Sequence, residues 1–288
     1  MVAGTSHLEM QIAHQREVAR GERFAFGDNW RRFLELLDET RIARAEASLA
    51  GMIGVSSLAG RTFLDVGCGS GLFSLAARRL GARVHSFDYD PASAACAMEL
   101  RRRYFPADAD WTIEQGSILD DAFMNGLGTF DVVYSWGVLH HTSRMWEGIE
   151  AACRGVAPGG TLFIAIYNDL GTRSRRWAAI KKLYTRLPRP LRPVLTALAS
   201  APEEIKTLAR AILPLRPGEY VRRWTAVGDR GMSHWRDAVD WVGGHPYEVA
   251  TPEAIFDFVR ARGFTLTRLK CGGVGLGCNE FVFERTGA

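Results

Sequence analysis

The chain has 288 residues, 47% hydrophobic and 24% charged, with a formal net charge of +4. That is a folded globular composition with enough length for a sizeable core. It excludes a disordered polyelectrolyte, and so mild a basic excess does not by itself indicate nucleic acid. Five scattered cysteines (68, 96, 153, 271 and 278) with no C-x-x-C pair exclude a disulfide scaffold and fit reduced thiols. No apolar run reaches the ~18 residues of a membrane span, and the N-terminus lacks a basic-then-apolar leader pattern, so a cytoplasmic protein is expected.

Residues 1–60 read as helical. Asp28 or Asn29 is placed to cap a helix carrying Trp30, Phe33, Leu34 and Leu37, and Ile42, Ala45, Leu49 and Ile53 continue the pattern. Two roles fit this segment: plain packing on a sheet, or a flap in which the aromatic-rich stretch Phe24 to Trp30 closes over a ligand.

The run from Phe63 to Phe73, Phe-Leu-Asp-Val-Gly-Cys-Gly-Ser-Gly-Leu-Phe, reads as strand, glycine turn and helix. Gly67, Gly69 and Gly71 alternate, so bare backbone and a helix N-terminus can approach a nucleotide-like ligand that a Cβ would block. The spacing is G-x-G-x-G with Asp65 two residues upstream, not the G-x-G-x-x-G that accommodates a pyrophosphate. Arg83 to Asp88 is a second strand ending in an acid about 20 residues after the glycines, placed to accept ribose hydroxyls. Asp90 and Pro91 then open a helix. Trp111 to Gln115 is a third strand with Gly116-Ser117-Ile118 at its end. Phe130 to Ser135 is a fourth, followed by Trp136-Gly-Val-Leu-His140-His141. Val156-Ala-Pro-Gly-Gly160 is expected to turn into a fifth strand, Thr161 to Tyr167.

Together these residues resemble the class I S-adenosylmethionine-dependent methyltransferases, with four motifs in order from about Phe63 to Tyr167. The resemblance implies an α/β, Rossmann-like seven-stranded sheet with S-adenosylmethionine as cofactor and S-adenosylhomocysteine as product. Carried over position by position, it implies cofactor contacts from Asp65, Gly67, Cys68, Gly69, Gly71, Asp88, Tyr89, Ser117, Ile118, Ser135 and Trp136. The family often has Asp immediately after the glycine at the adenine corner. Ser117 stands there instead, leaving the Ile118 N–H to serve. His140 and His141 fall where the acceptor should lie, and a neutral imidazole there can take a proton from a hydroxyl or amine. The competing reading is that one of them only orients the loop.

Within the class the chain looks most like the UbiG-type small-molecule O-methyltransferases, which use a Glu-x-x-Glu-His metal site after the fourth strand. Gly137 and His140 occupy the two Glu positions and only His141 matches, so no metal is expected. The Asn/Asp-Pro-Pro-aromatic run of nucleic-acid amine methyltransferases is absent as well, and a small-molecule acceptor is preferred over nucleic acid.

Residues 168–250 form an insert, and from 168 to 230 fourteen basic residues face five acids, a net charge of +9. Prolines 188, 190, 193, 202, 214 and 217 are expected to cut it into short helices. Leu191, Val194, Leu195 and Leu198 make one apolar stripe, and Ile205, Leu208, Ala209 and Ile212 another. Three roles fit: a solvated helical lid, peripheral contact with an anionic membrane, and recognition of an acidic acceptor by arginines. His234, Trp235, Trp241, His245 and Tyr247 suggest an aromatic pocket wall, with His245 a secondary acid/base candidate. Thr251-Pro-Glu253 opens a last helix, and Phe264 to Leu269 and Glu280 to Phe283 form a terminal strand pair. The expected organisation is a helical flap (1–60), a cofactor-binding core (61–167), a lid (168–250) and the sheet's end (251–288). The expected activity is His-assisted, metal-independent methyl transfer to a small metabolite. Alternatives are a membrane-associated enzyme acting on a lipid- or quinone-like acceptor, or a non-catalytic scaffold that binds S-adenosylmethionine.

Overall fold

The structure, a computed structural model, describes residues 7–212, 234–273 and 277–287. Seven strands form one sheet: β1 (Thr62–Val66), β2 (Arg83–Asp88), β3 (Trp111–Gln115), β4 (Phe130–Trp136), β5 (Val156–Tyr167), β6 (Phe264–Lys270) and β7 (Cys278–Arg285). Their order is β3-β2-β1-β4-β5-β7-β6, parallel except that β7 runs against both β5 and β6. This is the Rossmann-like class I methyltransferase architecture that the motif order implied.

The central strands are mostly apolar because helices cover both faces. Leu64, Val66, Val133 and Ile164 pack on one side, and Phe63, Val132, Tyr134 and Phe163 on the other. The chain runs outward from β1 to β2 and β3, then returns to place β4 on the other side of β1. That reversal opens a crevice beyond the carboxyl ends of β1 and β4, where ligands bind in such sheets.

Three sequence expectations need correction. The Val156–Gly160 stretch is not a turn before β5 but part of it. Val156 pairs with Phe130, and a register shift absorbs the following residues before Thr161 pairs with Val132. The flap helix spans Gly27–Leu36, so Asp28 and Asn29 fall inside its first turn rather than before it, and Phe26 at the N-cap position makes no side-chain cap bond. The insert prolines cut less than expected. Helices Thr172–Arg186 and Arg192–Ile212 are 15 and 21 residues long, and Pro202 lies inside the second. The missing N–H of Pro202 would leave the Leu198 carbonyl unserved, but Leu198 is exposed, so water can reach that carbonyl. Pro214, Pro217 and the four arginines from 216 to 230 lie outside the described residues.

The flap and the insert share a small core. Phe24 packs with Tyr184 and Val242, with Phe26, Trp177, Leu195 and Trp241 around them. The N-terminal segment is thus continuous with the helices Thr172–Arg186 and His234–Gly243 above the carboxyl ends of β4 and β5.

Candidate active site

The loop after β1 is built for close approach. Gly67, Gly69 and Gly71 have φ of 73°, 54° and 81°, a region that strains any L side chain. A Cβ on Gly67 would stand 2.4 Å from Val138, and one on Gly69 would stand 3.1 Å from the Trp30 ring. One glycine therefore clears the β4 loop and the other clears the flap. Gly71 lets the helix Leu72–Arg79 start against Ala97 of its neighbour.

Asp88 ends β2 and reaches back to this loop. Its carboxylate accepts from the Gly69 N–H at 2.9 Å and from the Asp90 N–H at 2.9 Å. Burial pushes its pKa up to about 7, and the two N–H donors oppose that shift. Asp90 caps the helix Pro91–Tyr104 through Ala92, and its second oxygen takes the Gly27 N–H.

Other predicted contact residues turn into the fold. Asp65 is buried, and its carboxylate accepts from the Ser74 hydroxyl at 2.5 Å. Ser74 in turn accepts from Ser86, and Ser86 from the Trp111 indole. Asp65 thereby locks the helix after the loop to β1 and β2, a bracing role the sequence reading did not assign. The Ser135 hydroxyl donates to the Val66 carbonyl, fastening β4 to β1. Cys68 is buried and its thiol pKa is pushed well up, by burial first and then by the charge of Asp88. The Tyr89 hydroxyl contacts Glu17 with Arg23 over its ring, and the Ser117 hydroxyl accepts from the Leu119 N–H. Ile118 is buried and Trp136 half-buried at the rim of the crevice.

His140 and His141 sit on a single tight turn after β4 and differ in kind. His140 is fully buried, and its Nδ1 accepts from the Tyr167 N–H at 3.3 Å. The ring proton therefore resides on Nε2, which has no partner among the described residues. His141 Nδ1 lies 2.5 Å from the Pro246 carbonyl, so that nitrogen is the donor and Nε2 keeps its lone pair. Burial is the main cause lowering both pKa values, that of His141 to about 3, and both rings are neutral at pH 7. His245 is half-buried beside them, with its carbonyl taking the Phe24 N–H.

The sequence reading missed Lys181 as a site residue, counting it among the insert's basic side chains. It is fully buried. Its Nζ donates to the Trp241 carbonyl and stands 4.1 Å from the Trp241 ring, 4.8 Å from Tyr247 and 5.8 Å from Tyr167. Burial lowers its pKa to about 7, and Asp240 opposes that shift. A signal was present: Trp177, Lys181 and Tyr184 recur at i, i+4 and i+7, placing this lysine on its helix's inward stripe.

The methyltransferase-domain family matches residues 64–164. That stretch is a methyltransferase domain. Among similar curated proteins, a ubiquinone biosynthesis O-methyltransferase of Methylobacterium sp. (strain 4-46) is 30% identical over 164 residues, covering 53% of this chain and 63% of that protein. One from Xanthomonas oryzae pv. oryzae (strain PXO99A) is 31% identical over 159 residues, covering 54% and 62%. The chain thus spans less than two thirds of the length of these relatives. The crystal structure of magnesium protoporphyrin IX methyltransferase from Synechocystis PCC 6803 with bound S-adenosylhomocysteine superposes with a TM-score of 0.54. It is 14% identical, covering 90% of this chain and 94% of that one, a likeness of fold. The methyltransferase domain ends within β5, so Lys181, Trp241, His245 and Tyr247 all lie beyond it.

Proposed function

We propose that the protein is an S-adenosylmethionine-dependent methyltransferase acting on a hydroxyl or amine of a small-molecule acceptor. The observation that carries this reading is the pairing of the glycine loop with Asp88 at 2.9 Å, beyond the strand ends of a methyltransferase domain. The residues fit the cofactor: the glycines let the loop close against Val138 and Trp30 with its backbone bare, and Asp88, tied to that loop at Gly69, offers a carboxylate for two ribose hydroxyls. Gly67, Gly69 and Gly71 would hold it by bare backbone, with the Ile118 N–H at the adenine corner. When bound, it supplies a methyl group on a positively charged sulfur.

The chain's own residues then orient the acceptor and receive its proton. The Nδ1–H of His141 is pinned by Pro246, which aims the Nε2 lone pair. That nitrogen accepts the proton of the attacking hydroxyl or amine. With a pKa near 3 it is a weak base, so alignment of the reactants in a closed site contributes more of the rate than proton transfer. No metal is assigned to this chemistry. Gly137 and His140 hold no carboxylate for one, and among the described residues no group of three His, Cys, Asp or Glu converges. Undiminished turnover after treatment with a chelator is the expected result.

The deciding experiment is transfer of labelled methyl from S-adenosylmethionine into a cell extract split into organic, small-molecule and macromolecular fractions. Label in either of the first two supports the reading. Label only in macromolecule overturns the substrate class, and S-adenosylmethionine binding without transfer would make the protein a scaffold.

A second reading concerns where the enzyme works. Leu191, Val194, Leu198 and Ile205 are exposed along the helix Arg192–Ile212 and the turn before it, beside a strongly basic insert. An apolar stripe flanked by cations suits an anionic lipid surface. Among the described residues no helix is long and apolar enough to cross a membrane. Sedimentation with anionic but not neutral vesicles, reduced by salt, is the expected outcome.

A further inference from the structure

We propose that the methyl acceptor is an organic carboxylate, its anionic group held by Lys181 and its apolar body laid against Tyr167, Trp241 and Tyr247. This rests on the methyltransferase reading and names the substrate class of that site.

Lys181 is a cation in the wrong place for a structural residue. An ammonium has three N–H donors, and among the described residues its only hydrogen-bond acceptor is the Trp241 carbonyl. No carboxylate among them lies within ion-pair distance of it. Asp240 and Cys278 act on it through charge alone. Buried charges are ordinarily paired, because an unpaired one forfeits its hydration. Three rings recover part of that loss by cation–π attraction, but rings do not neutralise the charge. A ligand anion would.

His140 packs against the same tyrosine. Its ring centroid is 3.9 Å from that of Tyr167, whose ring is 5.8 Å from the lysine Nζ. Its Nε2–H is buried without an acceptor among the described residues. Two buried donors, one charged and one neutral, therefore border one aromatic wall with too few acceptors between them. A carboxylate has lone pairs for both and carries the single charge that one lysine balances.

The surroundings have the same sign. Around His245 the charges of Lys182, Arg186, Arg23 and Lys181 all act to disfavour a proton, and Arg23 and Lys181 do the same at His141. Arg23 is itself paired with Glu17, and Asp240 is the opposing charge near Lys181. Asp169 acts at Tyr247 with Arg173 opposing it, while at His141 and His245 the acting charges are all positive, a field that draws in an anion. The flanking walls are apolar and flat, with Trp177 stacked edge-on against Trp241 at 5.3 Å. They suit a ring or other planar body better than a chain of hydroxyls.

The test uses benzoate and benzamide, which share a shape and differ in charge, titrated into the full-length protein with tryptophan fluorescence as readout. Benzoate is expected to bind saturably and at least tenfold more tightly than benzamide. In Lys181→Met that preference should disappear, while S-adenosylhomocysteine affinity, measured separately by calorimetry, stays within about twofold. Equal binding of the two probes, absence of saturable benzoate binding, or a preference that survives in Lys181→Met overturns the proposal. Loss of the methyltransferase reading would register differently, as no binding of S-adenosylhomocysteine by the wild-type protein. The wild-type comparison decides the anion preference even if the variant folds poorly.

Discussion

One carboxylate, that of Asp90, starts two helices: Oδ1 accepts from Ala92 at 2.9 Å and Oδ2 from Gly27 at 2.8 Å, 63 residues upstream. Phe26, at the flap helix's N-cap position, makes no side-chain cap bond, and the helix takes a cap from the wall of the cofactor site. The same flap sets Trp30 over Gly69 and Phe26 at 5.0 Å from the His141 ring. A side chain two residues from Asp88 thus ties the flap to the cofactor loop.

Asp90→Asn separates the two caps. An amide has one acceptor oxygen, so one helix keeps its cap and the other faces an NH2 group. The expected loss is about 1–2 kcal/mol of stability. Hydrogen exchange should show lower protection across Gly27–Leu36 than across Pro91–Tyr104, which also has Pro91 to hold its first turn. Equal loss of protection in both helices would contradict the shared-cap account.

Gly67→Ala should abolish S-adenosylhomocysteine binding measured by calorimetry, for two separable reasons: the new Cβ meets Val138 at 2.4 Å, and φ of 73° strains alanine. Adding Val138→Ala removes the collision but leaves the backbone strain. Partial recovery in the double variant is expected; full recovery would mean that φ carries no weight here, and none that the strain is dominant.

Asp88→Ala should weaken S-adenosylmethionine binding at least tenfold, or about 1.4 kcal/mol. The variant also frees the Gly69 N–H that Asp88 now accepts, so some loosening of the loop accompanies the loss of the ribose partner. Unchanged affinity would remove Asp88 from the site.

Replacing His140 and His141 together should lower turnover by about 10²- to 10⁴-fold while cofactor binding persists. The single variants should differ. His141→Ala removes the lone pair aimed by Pro246, whereas His140→Ala removes a buried N–H donor and the Tyr167 contact. A fall in kcat is expected for the first and a rise in KM for the second.

What was legible in the sequence is what local physics determines. Alternating glycines, an acid at a strand end and apolar strands give the sheet and the loop, because each signal lies within a few residues of the structure it specifies. The partners were not legible. The engagement of Asp65 with Ser74 and, through it, Trp111 could not be read locally because it depends on three elements meeting. The Asp90 carboxylate that accepts from the flap helix's first N–H arrives from 63 residues away, beyond the reach of any local pattern. Lys181 looked solvated because its charge outweighed the helical spacing that placed it beside Trp177 and Tyr184.

That lysine gives the last prediction, on stability. Burial lowers its folded-state pKa from 10.5 to about 7, so between those values the unfolded chain holds more protons than the folded one. Stability from this group is therefore present at high pH and lost as pH falls from about 10.5 towards 7. At pH 7 the folded lysine is about half protonated, and most of that loss has been incurred. Lys181→Met keeps the length of the side chain and removes the charge, so it should raise stability at pH 7, by about 1–4 kcal/mol. The gain should shrink as pH approaches 10, where both forms bury a neutral side chain. Denaturant unfolding of the two proteins at pH 7 and near pH 10 measures this. A variant less stable than wild type at pH 7 would mean that the three rings and the Trp241 carbonyl fully compensate the charge, and that the apo site is not waiting for an anion.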